Sequence, residues 1–168
     1  MSHKLMAYGR NILLLWVISL LSSLATNFIG PFLSLHIVSL GASVTELGMV
    51  IAASSAATAV LLIPSGVLSD KYGRKRLHTL GTFISVFPPL LYTFASRWLD
   101  LIPWVIISGA ALGLYMPIRW SIPADVSGTH NIAMAYSWIN VALLTGSTVG
   151  PLLGGLIADI YDIKRLFF

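Results

Sequence analysis

Cysteine is absent from this chain of 168 residues, which excludes a disulfide scaffold, a thiol nucleophile and any thiolate-held metal. Charge is nearly as scarce: Asp, Glu, Lys and Arg make up 10% of the residues, against about 25% in soluble domains. Hydrophobic residues reach 57% and the mean hydropathy is +0.86. A water-exposed globule of this composition would be covered in apolar patches and would aggregate, and a disordered tail needs far less hydrophobicity. The signatures of common enzymes are missing too. There is no G-x4-G-K-[ST] phosphate loop, no G-x-S-x-G elbow, no H-E-x-x-H pair and no pair of buried carboxylates, so neither an enzyme, a cofactor nor a metal is expected. The net charge of +4 and the pI near 9.6 suit a nucleic-acid binder. The chain has only 10 Lys and Arg, however, and lacks the soluble basic face with interleaved aromatics that nucleic acid requires.

What the chain does have is long runs without charge. No Asp, Glu, Lys or Arg occurs from Asn11 to Thr45, Leu47 to Ser69, Leu77 to Ser96, Leu101 to Ile118 or Val126 to Ala158, and each run holds at least 18 residues. About 20 apolar residues cross a bilayer as a helix. The runs predict an all-α, multi-pass membrane protein with five spans, roughly 12–38, 45–68, 77–96, 101–124 and 132–158. The first run is too long for the core of a signal peptide and no A-x-A-like site ends it. Glycine and proline lie inside the spans, at Gly30-Pro31, Pro64, Pro88-Pro89, Pro117, Pro123 and Gly150-Pro151. A membrane tolerates them because neighbouring helices satisfy the freed backbone groups.

The basic residues orient the chain. Lys4 and Arg10 precede the first span, and Lys71, Arg74, Lys75 and Arg76 separate the second from the third. The loops on the opposite side offer only Arg97. The positive-inside rule therefore expects a plasma-membrane protein with a cytoplasmic N-terminus; Lys164 and Arg165 run against this assignment and are outweighed by the cluster.

The loop Gly66-Val67-Leu68-Ser69-Asp70-Lys71-Tyr72-Gly73-Arg74-Lys75-Arg76 is the most informative stretch. Asp70 closes a span, Gly73 permits a left-handed reversal, and Arg can grip a carboxylate with a bidentate fork. Taken as a charge cluster alone, it reads as a surface for anionic headgroups. Its order, however, resembles the signature of the major facilitator superfamily, G-x-L-[A/S]-D-x-x-G-R-[K/R]-[K/R], between the second and third spans. Gly66, Leu68, Asp70, Gly73, Arg74, Lys75 and Arg76 supply the match. The resemblance implies a conformational switch in which Asp70, Arg74 and Asp125, at the end of the fourth span, form a charge relay that stabilises the outward-open state.

The fifth span carries Gly146-x-x-x-Gly150-Pro151-x-x-Gly154-Gly155. Glycines at i, i+4 and i+8 form a smooth stripe for another helix, and Pro151 adds a kink. Helix packing alone accounts for the spacing. The run also resembles the fifth-span motif of the superfamily's drug and proton antiporters, with Ser137 in place of its first glycine. The resemblance favours export over uptake. The arginine that antiporters carry midway along the fourth span is not matched: Val105 stands there, and Arg119 lies nearer the cytoplasmic end. The arginine usual in the next loop is replaced by Gly128-Thr129-His130-Asn131.

No carboxylate lies deep in a span, so the default proton-coupling residue is missing. Ser19, Ser22, Ser23, Thr26 and Asn27 stripe the first span, as helix glue or as solute contacts. Asn27, Asn140 (with Tyr136 and Trp138) and Arg119 are the candidates for a substrate cavity. His36, His78 and His130 have no metal spacing and are expected at the interface. Gly48, Ala52, Ala56 and the run Ala52 to Ala59 are expected to form the packing face of the second span.

The resemblance implies a fold of twelve spans in two six-helix halves of inverted repeats, which needs well over about 300 residues. These 168 residues match an incomplete N-terminal half, with a sixth span starting near residue 164 at Leu166-Phe167-Phe168. A truncated gene, a fragment, and a chain completed by a missing C-terminal half or by self-association all fit. The bilayer and a small-molecule solute are the expected partners. Two functions stay open: a secondary carrier working by alternating access, by export and with proton coupling undecided, or a membrane remnant or packing subunit with no carrier activity.

Overall fold

The computed structural model describes residues 2–127 and 132–160, with side chains over residues 13–121, 132–158 and 160. Every regular element among them is helical: α1 (Ser2–Ser39), α2 (Val44–Tyr72), α3 (Arg74–Tyr92), a 3₁₀ turn at Trp98–Leu101, α4 (Ile102–Ser127) and α5 (Ile132–Ile160). The helices run unbroken through Pro31, Pro64, Pro88, Pro89 and Pro151.

Local chemistry sets the helix ends. Ser43 caps α2 by accepting from the Glu46 amide at 3.3 Å, while the Glu46 carboxylate accepts from the Ser43 amide at 2.7 Å. This reciprocal box is written in the sequence as Ser43-Val44-Thr45-Glu46. Asp100 accepts from the Ser96 and Arg97 amides at 3.2 and 3.0 Å ahead of α4. Between α2 and α3 the only non-helical residue is Gly73, with φ 92°.

Four helices are long and apolar enough to cross a membrane: Leu13–Ser39, Val44–Tyr72, Trp98–Ser121 and Ile132–Ala158. The count of five spans is therefore corrected to four membrane-capable helices among the described residues. The exception is α3, a helix of 19 residues whose first three are Arg74, Lys75 and Arg76. It ends at Tyr92, before the charge-free run does, so the remaining helical apolar stretch falls short of the length a span needs. The expected sixth span lies outside the described residues.

The chain divides into two compact units. One comprises α1 up to Pro31 with the chain from Trp120 to Ile160; the other runs from Phe32 to Arg119. In the first unit α5 buries a row of small residues, Ala135, Ala142, Gly146, Gly150 and Gly154, together with Ile139. That row recurs every three or four residues, the period of one helix face. In the second unit the buried set includes Ile37, Val50, Leu77, Tyr92, Leu101, Val105, Ala111 and Ile118. Large apolar side chains point outward instead: Ile63 is 80% exposed, Val60 70% and Leu144 66%. In water such a surface would aggregate; in lipid it is solvated.

Candidate functional site

In the first unit, α1 and α5 meet at glycine. A Cβ on Gly146 would stand 2.5 Å from the Ser23 Cβ and 2.8 Å from the Leu24 amide nitrogen. On Gly150 it would stand 3.1 Å from both the Asn27 Cβ and the Leu24 carbonyl oxygen. The Ser23 hydroxyl donates to the Leu143 carbonyl across the seam at 2.7 Å. Asn27 spends its amide locally, donating to the Ser23 carbonyl at 2.8 Å and hydroxyl at 3.2 Å. Without a hydrophobic force between helices in lipid, close backbone approach and such hydrogen bonds hold them together.

The other residues singled out on this unit have less company. Gly155 has open space around it, while Gly154 is buried and Pro151 half-buried. Asn140 and Trp138 are exposed on α5, and the Tyr136 hydroxyl donates to the Trp120 carbonyl. Asn27 and Asn140 are thus in different settings, one built into the α1–α5 seam and the other outward-facing. Trp16 buries its indole nitrogen with no partner.

The second unit contains the loop Gly66–Arg76. Asp70, Lys71, Arg74, Lys75 and Arg76 are all exposed there, while Ser69 is buried and Gly66 half-buried. The Lys71 ammonium lies 5.4 Å from the centre of the Tyr72 ring. Three cations open α3 at its positive dipole end, where they disfavour the helix. Their placement serves something other than helix stability. Gly73, with φ 92° and ψ 132°, occupies a region that side chains with a Cβ avoid, so the signature's glycine sits on the reversal itself. Asp125 lies outside the described side chains, as does His130, and the relay partner's position is not part of the geometry.

Arg119 is half-buried on α4 and its Nη2 atom is sealed from solvent with no hydrogen-bond partner. Tyr115 lies one helical turn before it on α4. His78 stands edge-on to Tyr115, ring centres 5.9 Å apart and planes at 66°. His36, in the last turn of α1, is 1% exposed, and its Nε2 reaches the carbonyl of Tyr92, the last residue of α3, at 3.2 Å. That carbonyl is an acceptor only, so Nε2 carries the proton.

A second close approach was not anticipated from the sequence. A Cβ on Gly109 of α4 would overlap the Ser54 carbonyl of α2, and one on Gly113 would stand 2.6 Å from the Thr58 carbonyl oxygen. The Thr58 hydroxyl lies 2.8 Å from the Gly109 carbonyl, across this contact, and 3.0 Å from that of Ser54. The expected face of α2 is corrected in part: the run Ala52 to Ala59 supplies Ser54 and Thr58 to this contact, while Gly48, Ala52 and Ala56 are exposed and Gly48 meets nothing within 4 Å. The spacing Gly109-Ala110-Ala111-Leu112-Gly113 was the available signal.

Comparison with known proteins gives a consistent result. The sequence profile of the Major Facilitator Superfamily matches residues 15–168. The chain is 31% identical over 159 residues to the uncharacterized MFS-type transporter MJ1560 of Methanocaldococcus jannaschii, covering 95% of this chain and 41% of that protein. It is 24% identical over 160 residues to the quinolone resistance protein NorA of Staphylococcus aureus strain MRSA252, again covering 95% and 41%. The chain thus spans about two fifths of the length of the curated relatives it matches.

Proposed function

This chain belongs to the Major Facilitator Superfamily, and from that premise we propose that it forms the N-terminal part of a carrier that exports a small solute across the cell membrane by alternating access. The observation that carries the reading is the α2–α3 junction, where the signature residues occupy a single tight reversal on Gly73, with Asp70 and Arg74 exposed on either side of it. In this reading the N-terminus and that junction face the cytoplasm. Asp70 and Arg74 work with Asp125 as a switch between conformations. The α1–α5 seam is a rigid part of the rocking body. A relative named for quinolone resistance supports export, since expelling a drug is one route to resisting it. An aromatic, amphipathic solute would suit the exposed Trp138 and Asn140. Proton coupling, in such a carrier, would need acids from outside these spans.

The test is export of a labelled quinolone by the complete carrier at matched membrane abundance. Asp70→Asn and Arg74→Ala are each expected to slow export about tenfold or more, the scale of losing one charge-assisted contact, while insertion is retained. The 168 residues reconstituted alone are expected to give no saturable flux, because the substrate site of such carriers lies between two halves. Wild-type rates in both mutants would overturn the switch, and saturable flux from the isolated chain would overturn the half-carrier reading.

A further inference from the structure

Among the described cations, the Nη2 of Arg119 is the one charged nitrogen sealed from solvent without a hydrogen-bond partner. Arginine does not deprotonate in proteins, and an unpaired charge at membrane depth is costly. The acids described in its unit are committed elsewhere or exposed. Glu46 closes the Ser43 box and Asp100 takes the amides of Ser96 and Arg97, while Asp70 is exposed at the end of α2.

Tyr115, one helical turn before Arg119, and His78, packed edge-on against Tyr115, are further donors. Gly81 lets α3 close on α4, since a Cβ there would stand 3.0 Å from the Tyr115 Cβ and 3.2 Å from the Ala111 carbonyl oxygen. That approach sets the His78 ring against Tyr115, and Arg119, four residues after Tyr115 on α4, lies on the same helix face. Guanidinium, imidazole and phenol converge with no carboxylate among the described residues. This is the composition of an anion site, and a guanidinium fork matches a phosphate especially well.

We propose that Arg119, His78 and Tyr115 form a site for the phosphate of an anionic phospholipid at the end of α3 and α4 that carries the basic loop. A lipid fits better than a free anion because exposed apolar side chains flank these positions along both helices: Leu80 and Phe83 of α3 are 50% and 61% exposed, and Met116 of α4 is 37% exposed. Acyl chains can lie on these while the headgroup meets the three donors. Lys75 and Arg76, exposed at the start of α3, draw anionic lipid to the same end, as basic residues at a membrane surface do. The site requires only that the chain is a membrane protein and is independent of whether it transports.

The test is native mass spectrometry of the detergent-solubilised full chain after equilibration with phosphatidylglycerol or phosphatidylcholine, with helicity checked by circular dichroism. Wild type is expected to retain phosphatidylglycerol preferentially, and Arg119→Gln to lower that retention about tenfold. Arg119→Lys, which keeps the charge but not the fork, is expected to fall between them. Lys75→Gln with Arg76→Gln is expected to weaken retention less than Arg119→Gln does. Should Arg119→Gln fail to fold, His78→Gln and Tyr115→Phe carry the comparison. Displacement of the retained lipid by millimolar inorganic phosphate would overturn the lipid occupant in favour of a soluble anion. Equal retention in all folded variants, or no preference for phosphatidylglycerol in wild type, would overturn the site.

Discussion

One carbon atom separates two kinds of glycine on α5. At Gly146 an added Cβ meets Ser23 at 2.5 Å, while at Gly155 it meets nothing within 4 Å. Gly146→Ala is therefore expected to destabilise by about 1–3 kcal/mol through overpacking. Gly155→Ala should be neutral or slightly stabilising, because glycine inside a helix costs roughly 0.5–1 kcal/mol relative to alanine. Thermal unfolding of the detergent-solubilised chain compares the two, and equal shifts would contradict the seam. The glycine row was legible in the sequence as a stripe at i, i+4 and i+8. Which glycines touch a neighbour was not, since spacing describes one helix and contact involves two.

Between elements, the α2–α4 contact rests on backbone against backbone. Gly109 faces the Ser54 carbonyl, and the Thr58 hydroxyl reaches the Gly109 carbonyl at 2.8 Å. A carbonyl in a helix cannot swing aside as a rotamer can. Gly109→Ala is therefore expected to cost more than Thr58→Val, which forfeits one interhelical hydrogen bond worth about 0.6 kcal/mol in membrane proteins. Urea titration in mixed micelles ranks the two, and the reverse order would show that the hydrogen bond, not the close approach, holds the pair. Within the small-residue run from Ala52 to Ala59 the contact falls on Ser54 and Thr58, while the row Gly48, Ala52 and Ala56 stays exposed. Small residues permit close packing on any side, and Ser54 and Thr58 were chosen by where Gly109 and Gly113 lie.

For the whole molecule, orientation is the measurable property. With no native cysteine, Lys75→Cys gives a single label site on an exposed residue of the α2–α3 junction. A membrane-impermeant maleimide is expected to label it in inverted vesicles and not in intact cells, as the positive-inside rule requires. Labelling only from the outside would reverse the proposed topology. The outward-facing Ile63, Val60 and Leu144 imply that the chain meets lipid or other apolar helices over much of its surface, which is why its assay belongs in a membrane or detergent.

Membrane class, helix positions and superfamily were determined by the sequence itself, because each follows from one-dimensional order: charge-free runs, basic loops, and the residues Gly66 to Arg76 on consecutive positions. The tertiary structure decided the rest. It ended α3 at Tyr92, too early for an independent span, and buried His36 against the Tyr92 carbonyl. It also joined Ser23 to Leu143 and set His78 against Tyr115, one turn from Arg119. Those outcomes depend on which faces of separate helices meet, and a sequence encodes faces without encoding their partners.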